Sequence, residues 1–487
     1  MAGLSGVFRH DIVTWVQPLF AAIDGRLSMS SLRETVAHLP PRQRELLGAA
    51  AGWLPVRYRL GPDYFNTRME ISKARADPAW ANLEVRKRLS RVMHIASSAP
   101  YYADNAAYAG LVRQIDALER LEELPILSRR SVTESSRAML TVPESEVSAV
   151  STSGSSGEPV VFYLDKRRGA SEWAYVMDSW SSSGVTPNDW RAYFRGMDLP
   201  RGASYQLQRS TRELVIRAQT VSPRTIDQYC DMLERRRIRY LHGYASTLSL
   251  FAVLCEQMGW ASWRSQVMGV FPVSEEITSN QRAVLSRVFP NAGVVDFYGL
   301  SERTAFAAGH GDGSYSFYPL YGLVEVIRED GSPAQSGERG RIIATGLRLK
   351  AMPLLRYDTG DSAEVVHYEP SGMPRIREIR PRRSRENFVT ADGGNFALTA
   401  MNMHGHLFAS VLRFRFVQEI AGHATMLIQP APGATSNDLE EVFQHMQRRC
   451  AGQVTLSMRL VEDLPPTVNG KARLLEQRIP NASASWL

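Results

Sequence analysis

The chain has 487 residues, 44% hydrophobic and 22% charged, with a formal net charge of +7 and a pI near 9.3. That profile belongs to a globular protein long enough for two or more domains with sizeable cores, and no run of about 18 apolar residues is present to span a membrane. Three scattered cysteines, Cys230, Cys255 and Cys450, with no Cys-x-x-Cys pair, exclude a disulfide framework and a four-cysteine zinc site and read as small buried residues.

The basic residues are nearly all arginine; lysine occurs only at Lys73, Lys87, Lys166, Lys350 and Lys471. They are spread along the chain, which suits solvated faces better than a nucleic-acid patch. Met1 to Arg9 lacks the basic-then-apolar order of a signal peptide, so a cytoplasmic protein is expected.

Residues 25–95 are expected to be mostly helical, with apolar spacing through Leu83, Val85, Leu89, Val92, Met93 and Ile95. Pro100-Tyr101-Tyr102 breaks that pattern, and Ser128, after Leu124-Pro125-Ile126-Leu127, is placed to cap a helix. Residues 147–150 read as a strand entering a Ser/Gly loop, and 160–164 as a second strand. Helices over 224–237, 246–258 and 274–289 then alternate with strands over 238–241, 267–270 and 294–298. That alternation predicts a layered α/β domain with parallel strands. A β-rich part follows at 323–328, 340–345 and 361–367. The last hundred residues form a smaller α+β unit, with strands at 413–419, 425–429 and 455–461 and a helix at 437–450. The arginine-rich segment from Arg380 to Glu386 places the boundary, giving an N-terminal domain over 1–383, whose first 95 residues are a mainly helical lead-in, and a C-terminal domain over 384–487.

Four segments carry chemistry. Ser151-Thr152-Ser153-Gly154-Ser155-Ser156-Gly157-Glu158-Pro159 joins two expected strands; small residues let backbone N–H groups approach a phosphate, and hydroxyls add donors. No Gly-Lys-Ser/Thr follows, so it is not a Walker A loop. Asp296-Phe297-Tyr298-Gly299-Leu300-Ser301-Glu302 ends a strand of an α/β sheet, where ligands bind, and Glu302 offers an oxygen to Mg²⁺. In Leu355-Arg356-Tyr357-Asp358-Thr359-Gly360-Asp361, Asp361 follows a glycine at an expected turn and can accept ribose hydroxyls or serve its own backbone. Leu464-Pro465-Pro466-Thr467-Val468-Asn469-Gly470-Lys471 makes a tight turn that projects a lysine, a mobile cation suited to a developing oxyanion.

In that order, these segments resemble the core motifs of the adenylate-forming superfamily of acyl-CoA synthetases, adenylation domains and luciferases. His94-Ile95-Ala96-Ser97-Ser98-Ala99-Pro100-Tyr101-Tyr102, the Leu-Pro-Ile-Leu segment, His242-Gly243-Tyr244-Ala245-Ser246 and the Asp-Phe-Tyr-Gly-Leu-Ser-Glu run are similar to the phenylacetate–CoA ligase-like branch. The resemblance covers roughly residues 85–475. It implies a large N-terminal domain and a small mobile C-terminal lid, with ATP, Mg²⁺ and, in the second step, CoA as cofactors. It places Thr152, Ser153, Ser155 and Gly157 on the β- and γ-phosphates, Asp296 and Tyr298 at adenine, and Gly154 and Gly299 among the cofactor-binding residues. Ser301 falls on phosphate, Glu302 on Mg²⁺, Asp361 on ribose, Arg383 at the motif arginine, and Lys471 on the carboxylate and α-phosphate.

The sequence departs from the family pattern in three places. Glu158 stands in the phosphate loop with no lysine, the hinge reads Arg382-Arg383-Ser384-Arg385-Glu386, and the lid's glycine-rich turn is only Asp392-Gly393-Gly394. The expected activity is acyl-adenylate formation from a small carboxylic acid, followed by transfer to CoA or a carrier-protein phosphopantetheine. The alternatives are transfer to an amine and a non-catalytic nucleotide binder. Tyr244, Phe271, Phe297 and Phe306 are candidate walls for the acid, which an aromatic or apolar acid would suit. His242 or Arg303 could equally select a polar one. Phe297, on the strand face opposite Asp296 and Tyr298, reads as a core aromatic.

Overall fold

The computed structural model describes residues 54–110, 121–152, 160–195, 203–380, 387–401, 410–450, 452–464 and 475–479, apart from positions 223, 275, 276, 278, 431, 432 and 463, together with Gly52. Two helices lead in. Helix α1 (Val56–Ala76) bends at Gly61, whose φ of 73° precedes Pro62. Helix α2 (Pro78–Ala96) starts where Asp77 accepts from the Trp80 N–H at 2.9 Å. Of the apolar stripe expected there, Val85, Leu89, Val92 and Met93 are buried, whereas Leu83 is 52% exposed. Leu83 lies two positions before Val85, about 200° around the helix, and so faces water.

Helix α3 (Arg129–Ser135) is capped as expected, the Ser128 hydroxyl accepting from the Ser131 N–H at 3.0 Å. Strands β1 (Val147–Thr152) and β2 (Val160–Asp165) pair antiparallel and flank residues 153–159. Helix α4 (Gly169–Ser179) follows. Its Asp178 accepts from Arg75 at 2.6 Å, from Arg68 and from the Tyr318 hydroxyl at 2.8 Å, which fastens α1 to the body of the protein.

A six-stranded sheet forms next from β3 (Arg191–Arg195), β4 (Tyr205–Gln208), β5 (Glu213–Arg217), β6 (Tyr240–Tyr244), β7 (Gly269–Val273) and β8 (Gly293–Val294). Its order is β4-β5-β3-β6-β7-β8, parallel except for β4. Helices α5 (Ile226–Arg235), α6 (Ala245–Gln257) and α7 (Ser279–Val288) cover one face. There Phe194, Leu214, Leu241 and Val270 pack with Tyr229, Leu248, Phe251 and Leu285, each such burial contributing about 1.5–3 kcal/mol. By strand alternation the opposite face carries Tyr240, Phe271 and Val273, packed on Tyr64, Ala174, Met177 and Trp180 from α1 and the α4 region. All three cysteines are buried, but Cys230 on α5 and Cys255 on α6 bring their sulfurs to 3.2 Å, a contact that their separation in sequence hid.

A seven-stranded antiparallel sheet adjoins, built from β9 (Phe297–Gly299), β10 (Phe306–Gly309), β11 (Ser314–Phe317), β12 (Gly322–Ile327), β13 (Arg339–Gly346), β14 (Tyr357–Tyr368) and β15 (Pro374–Arg380). Its order is β12-β13-β14-β15-β11-β10-β9. Two expectations are corrected here. The single strand expected over 294–298 is two strands in two sheets: the chain leaves the parallel sheet after β8, passes Val295 and Asp296, and enters the antiparallel sheet as β9. The turn expected at Gly360-Asp361 is a bulge inside β14, where the pairing with β13 slips between Arg341 and Ile343 and Gly360 adopts φ 77°.

The C-terminal part has its own core. A hairpin of β16 (Asn387–Val389) and β17 (Asn395–Ala397) joins a four-stranded sheet of β18 (Val411–Ile420), β19 (His423–Pro430), β20 (Thr455–Leu460) and β21 (Leu475–Gln477), ordered β20-β19-β18-β21. Helix α8 (Ser436–Cys450) closes it, with Phe388, Phe416, Met426, Val442 and Met446 inside. Tyr244, at the end of β6, packs against this core. Among the described residues no helix is long and apolar enough to cross a membrane.

Candidate functional site

The second and third sequence segments meet where the two large sheets adjoin. The Tyr298 hydroxyl donates to Asp361 Oδ2 at 2.8 Å. The β14 bulge fixes that carboxylate from below: the Asp361 N–H donates to Thr359 Oγ1 at 3.1 Å, and the Thr359 hydroxyl donates to the Ile342 carbonyl at 2.8 Å. Burial, and then the neighbouring Asp361 charge, push the Tyr298 phenol well above its ordinary pKa, so it stays a donor at physiological pH.

Glu302 reaches the same region by a tight turn. The Arg303 N–H donates to the Leu300 carbonyl at 3.1 Å, and Arg303 takes the left-handed region at φ 59°. The turn leaves Gly299 and Ser301 exposed and carries Glu302 inward to 6% exposure. There Tyr357 donates to Glu302 Oε1 at 3.2 Å, with Arg129 Nη1 3.8 Å away. Arg303 itself donates to Glu172 at 3.3 Å, joining an ion network with Arg168 and Tyr321.

The Leu-Pro-Ile-Leu segment is stitched to the Asp361 strand. The Leu127 N–H donates to the Arg356 carbonyl and the Asp358 N–H to the Leu127 carbonyl, both at 3.0 Å. The Arg356 guanidinium forks onto Glu325 at 2.8 and 3.1 Å and reaches the Glu122 and Leu124 carbonyls at 2.7 Å. A bidentate, buried pair of this kind fixes position as well as charge.

Asp296 is held differently. Its Oδ1 accepts from Arg282 at 2.8 Å and its Oδ2 from the Tyr315 hydroxyl, tying α7 and β11 to the crossing between the sheets. A Cβ at Gly309 would stand 2.7 Å from the Asp296 carbonyl oxygen and 2.8 Å from Oδ1, so only glycine lets β10 pass there. An adenine contact from Asp296 would have to be made beside those two partners.

On the parallel sheet, Tyr193 of β3 and His242 of β6 stack flat, ring centroids 4.0 Å apart. Trp180 meets His242 edge-on at 4.7 Å and stacks on Phe271 at 4.4 Å. Phe271 is wholly buried beneath that indole. His242 is 6% exposed; burial, and then the charges of Arg191 and Arg195, hold its pKa well below the ordinary imidazole value, so it is neutral. Phe297 stacks on Phe306 at 4.7 Å and lies 6.3 Å from Trp180, while Tyr298 packs into the antiparallel sheet's core, the opposed faces that alternation predicts.

Thr152 ends β1 opposite Val160. Ser153, Gly154, Ser155, Gly157, Arg383 and Lys471 lie outside the described residues. Among the described residues no group of three His, Cys, Asp or Glu side chains forms a metal cage. Glu302 is a single hard oxygen donor, which suits Mg²⁺ shared with phosphate oxygens. A cleft of about 660 Å³ lined by Ser183, Gly184, Asn291, Gly293 and His310 lies at the amino ends of β7 and β8, and none of the expected site residues line it. Sequence reasoning missed Trp180, Tyr193, Arg282 and Tyr315, which stand outside every motif; Tyr357 stood inside one, but its hydroxyl had no assigned partner.

No known family profile matches the chain. Protein CapK of Staphylococcus aureus is 20% identical over 448 residues, 90% of this chain and 97% of that protein. The structure of 2-hydroxyisobutyryl-CoA ligase in complex with 2-HIB-AMP and CoA, in the thioesterification state, superposes with a TM-score of 0.53 at 17% identity, over 82% of this chain and 90% of that one. The chain has the adenylate-forming fold. A second structure of that ligase, in the postadenylation state with R3-HIB-AMP, gives a TM-score of 0.49 at 18% identity, over 81% of this chain and 88% of that one. Within the adenylate-forming fold of this chain, Tyr298 with Asp361 and Tyr357 with Glu302 form two hydrogen-bonded pairs, and His242 and Phe271 form a separate aromatic group around Trp180.

Proposed function

We propose that the chain is an ATP-dependent acid ligase of the phenylacetate–CoA ligase-like branch. It joins a small carboxylic acid to AMP, releases pyrophosphate, and passes the acyl group to a thiol, CoA or a carrier-protein phosphopantetheine. The observation that carries this reading is the Tyr298–Asp361 hydrogen bond, with Glu302 held by Tyr357: two segments far apart in sequence supply two fixed carboxylates, which the reading assigns to ribose and to Mg²⁺. The adenylate-forming fold supports it.

A free carboxylate is a poor electrophile because its leaving oxide is too basic. Attack of the acid's carboxylate oxygen on the α-phosphorus breaks the bond to pyrophosphate and makes AMP the later leaving group. Asp361 accepts the ribose hydroxyls and Tyr298 holds that carboxylate in place. Backbone N–H groups and hydroxyls at Thr152, Ser153 and Ser155 receive the outer phosphates. Glu302 would hold Mg²⁺, which when bound would neutralise charge on the phosphate oxygens. Lys471, on a lid over residues 384–487, meets the negative charge that gathers on the α-phosphoryl group.

The test is pyrophosphate release from ATP and Mg²⁺ across a panel of carboxylic acids, followed by addition of CoA, a phosphopantetheinyl carrier or amines. Acid-dependent pyrophosphate release and a thioester product are expected. Release of neither pyrophosphate nor AMP with any acid would remove adenylation from the account, and an amide product would reassign the acceptor.

A further inference from the structure

The sheet face beneath α4 holds buried polar atoms that no other described residue matches. Arg191, at the start of β3, is 1% exposed. Its Nη2 donates to the Thr211 carbonyl at 3.0 Å and to Glu213 at 3.2 Å, but among the described residues no acceptor meets its Nε or Nη1. The guanidinium lies 4.9 Å over the Trp173 ring, and Trp173 meets Trp180 edge-on at 5.6 Å. Trp180 is fully buried, and its Nε1 also has no acceptor among the described residues. Trp180 touches His242, whose Nδ1 is buried and unmatched in the same way. Buried donors are nearly always paired, so Trp180 and His242 in ring contact, with Arg191 beyond the Trp173 ring, indicate by their open polar atoms a group that arrives from outside. Phe297, between Asp296 and Tyr298 in the chain, lies against Trp180 and joins this cluster to the nucleotide side.

Charge decides what completes it. Arg191 already faces Glu213, and His242 is neutral. A second carboxylate on the substrate would be placed beside Glu213 in a desolvated region, which is costly. A neutral oxygen fits better: it accepts from the Trp180 or Arg191 N–H, and as a hydroxyl it can also donate to His242 Nδ1. An unsubstituted apolar acid would leave these groups unmatched.

We propose that the acid activated by this chain is a hydroxy or oxo acid, whose neutral oxygen, set apart from the reacting carboxylate, is received by Trp180, His242 and Arg191. This rests on the adenylation reading and adds the substrate class to it. Trp180, His242 and Arg191 are then specificity residues, and the wall of the acid site is polar rather than purely aromatic.

The experiment measures pyrophosphate release by the full-length enzyme with a mixed acid library, then kcat/KM for the best acid and its deoxy counterpart. The best acid is expected to carry a hydroxyl or carbonyl and to exceed its deoxy counterpart by about 10- to 100-fold. Trp180→Phe keeps a ring on Phe271 and removes one N–H, so it should lower that ratio several-fold, mainly through KM of the oxygenated acid. His242→Phe gives the same readout if the first variant does not fold. A best acid without a neutral oxygen, or a folded variant with the wild-type ratio, overturns the assignment and leaves adenylation standing. No pyrophosphate release with any acid overturns both.

Discussion

The two halves of the candidate site are finished to different degrees. On the nucleotide side the side chains already have protein partners: Asp296 has Arg282 and Tyr315, Asp361 has Tyr298, Glu302 has Tyr357, and Arg356 has Glu325. On the acid side Trp180 Nε1, His242 Nδ1 and two nitrogens of Arg191 are buried with none among the described residues. On the proposed reading, the difference teaches that one half is set in place by the fold before anything binds, while the other would be completed by its ligand. Preorganised groups of the first kind make transition-state stabilisation effective; open groups of the second kind make selection between substrates possible.

The predictions that break or sharpen this contrast run from large to small. Arg356→Ala strands Glu325 in a buried site and removes the donors to the Glu122 and Leu124 carbonyls, so a loss of about 3–5 kcal/mol is expected in urea unfolding. A loss under 1 kcal/mol would mean that the nucleotide side is not braced by this pair. Lys471→Ala is expected to lower acyl-AMP formation by about 100- to 1000-fold, or about 3–4 kcal/mol, with the unfolding midpoint unchanged. Near-wild-type pyrophosphate release by that variant would take the lysine out of the chemistry. Tyr298→Phe frees Asp361 of one donor to a charged group, worth about 1.5–3 kcal/mol, and should raise KM for ATP more than it lowers kcat. An unchanged KM for ATP would separate Asp361 from the nucleotide.

The smallest effect concerns pH. His242 has its pKa depressed by burial, so between its folded and unfolded values the unfolded chain binds more protons. The stabilising contribution of the neutral ring is present above the unfolded value, about 6.5, and is lost as pH falls below it, by about 1.4 kcal/mol per unit. Urea midpoints of wild type and His242→Gln, compared from pH 7.5 to 5.5, should diverge in slope below pH 6.5. Parallel curves would show that the imidazole is not held neutral.

How much was legible follows from what is local. The Ser128 cap, the C-terminal strands and α8 could be read because capping and alternation are short-range patterns. The layered parallel sheet followed from helix–strand alternation. The break between β8 and β9 could not be read, because it depends on Arg282 and Tyr315 converging on Asp296 from two other elements. Gly360 signalled a special backbone, but a turn and a bulge share that signal, and only the register against β13 distinguishes them. Glu302, Asp361 and Tyr298 stood out in their motifs; Tyr357, which holds Glu302, did not. Trp180 ends α4 with no motif around it, and Cys230 and Cys255 met only when α5 and α6 packed side by side.

The most direct test of the central claim is mass spectrometry of a quenched reaction containing the full-length protein, ATP, Mg²⁺ and a mixed acid library without a thiol. The account predicts an acyl-adenylate from wild type, formed with pyrophosphate and nearly absent in Lys471→Ala. ATP split to ADP and phosphate, or an adenylate formed equally well by the lysine variant, would contradict it.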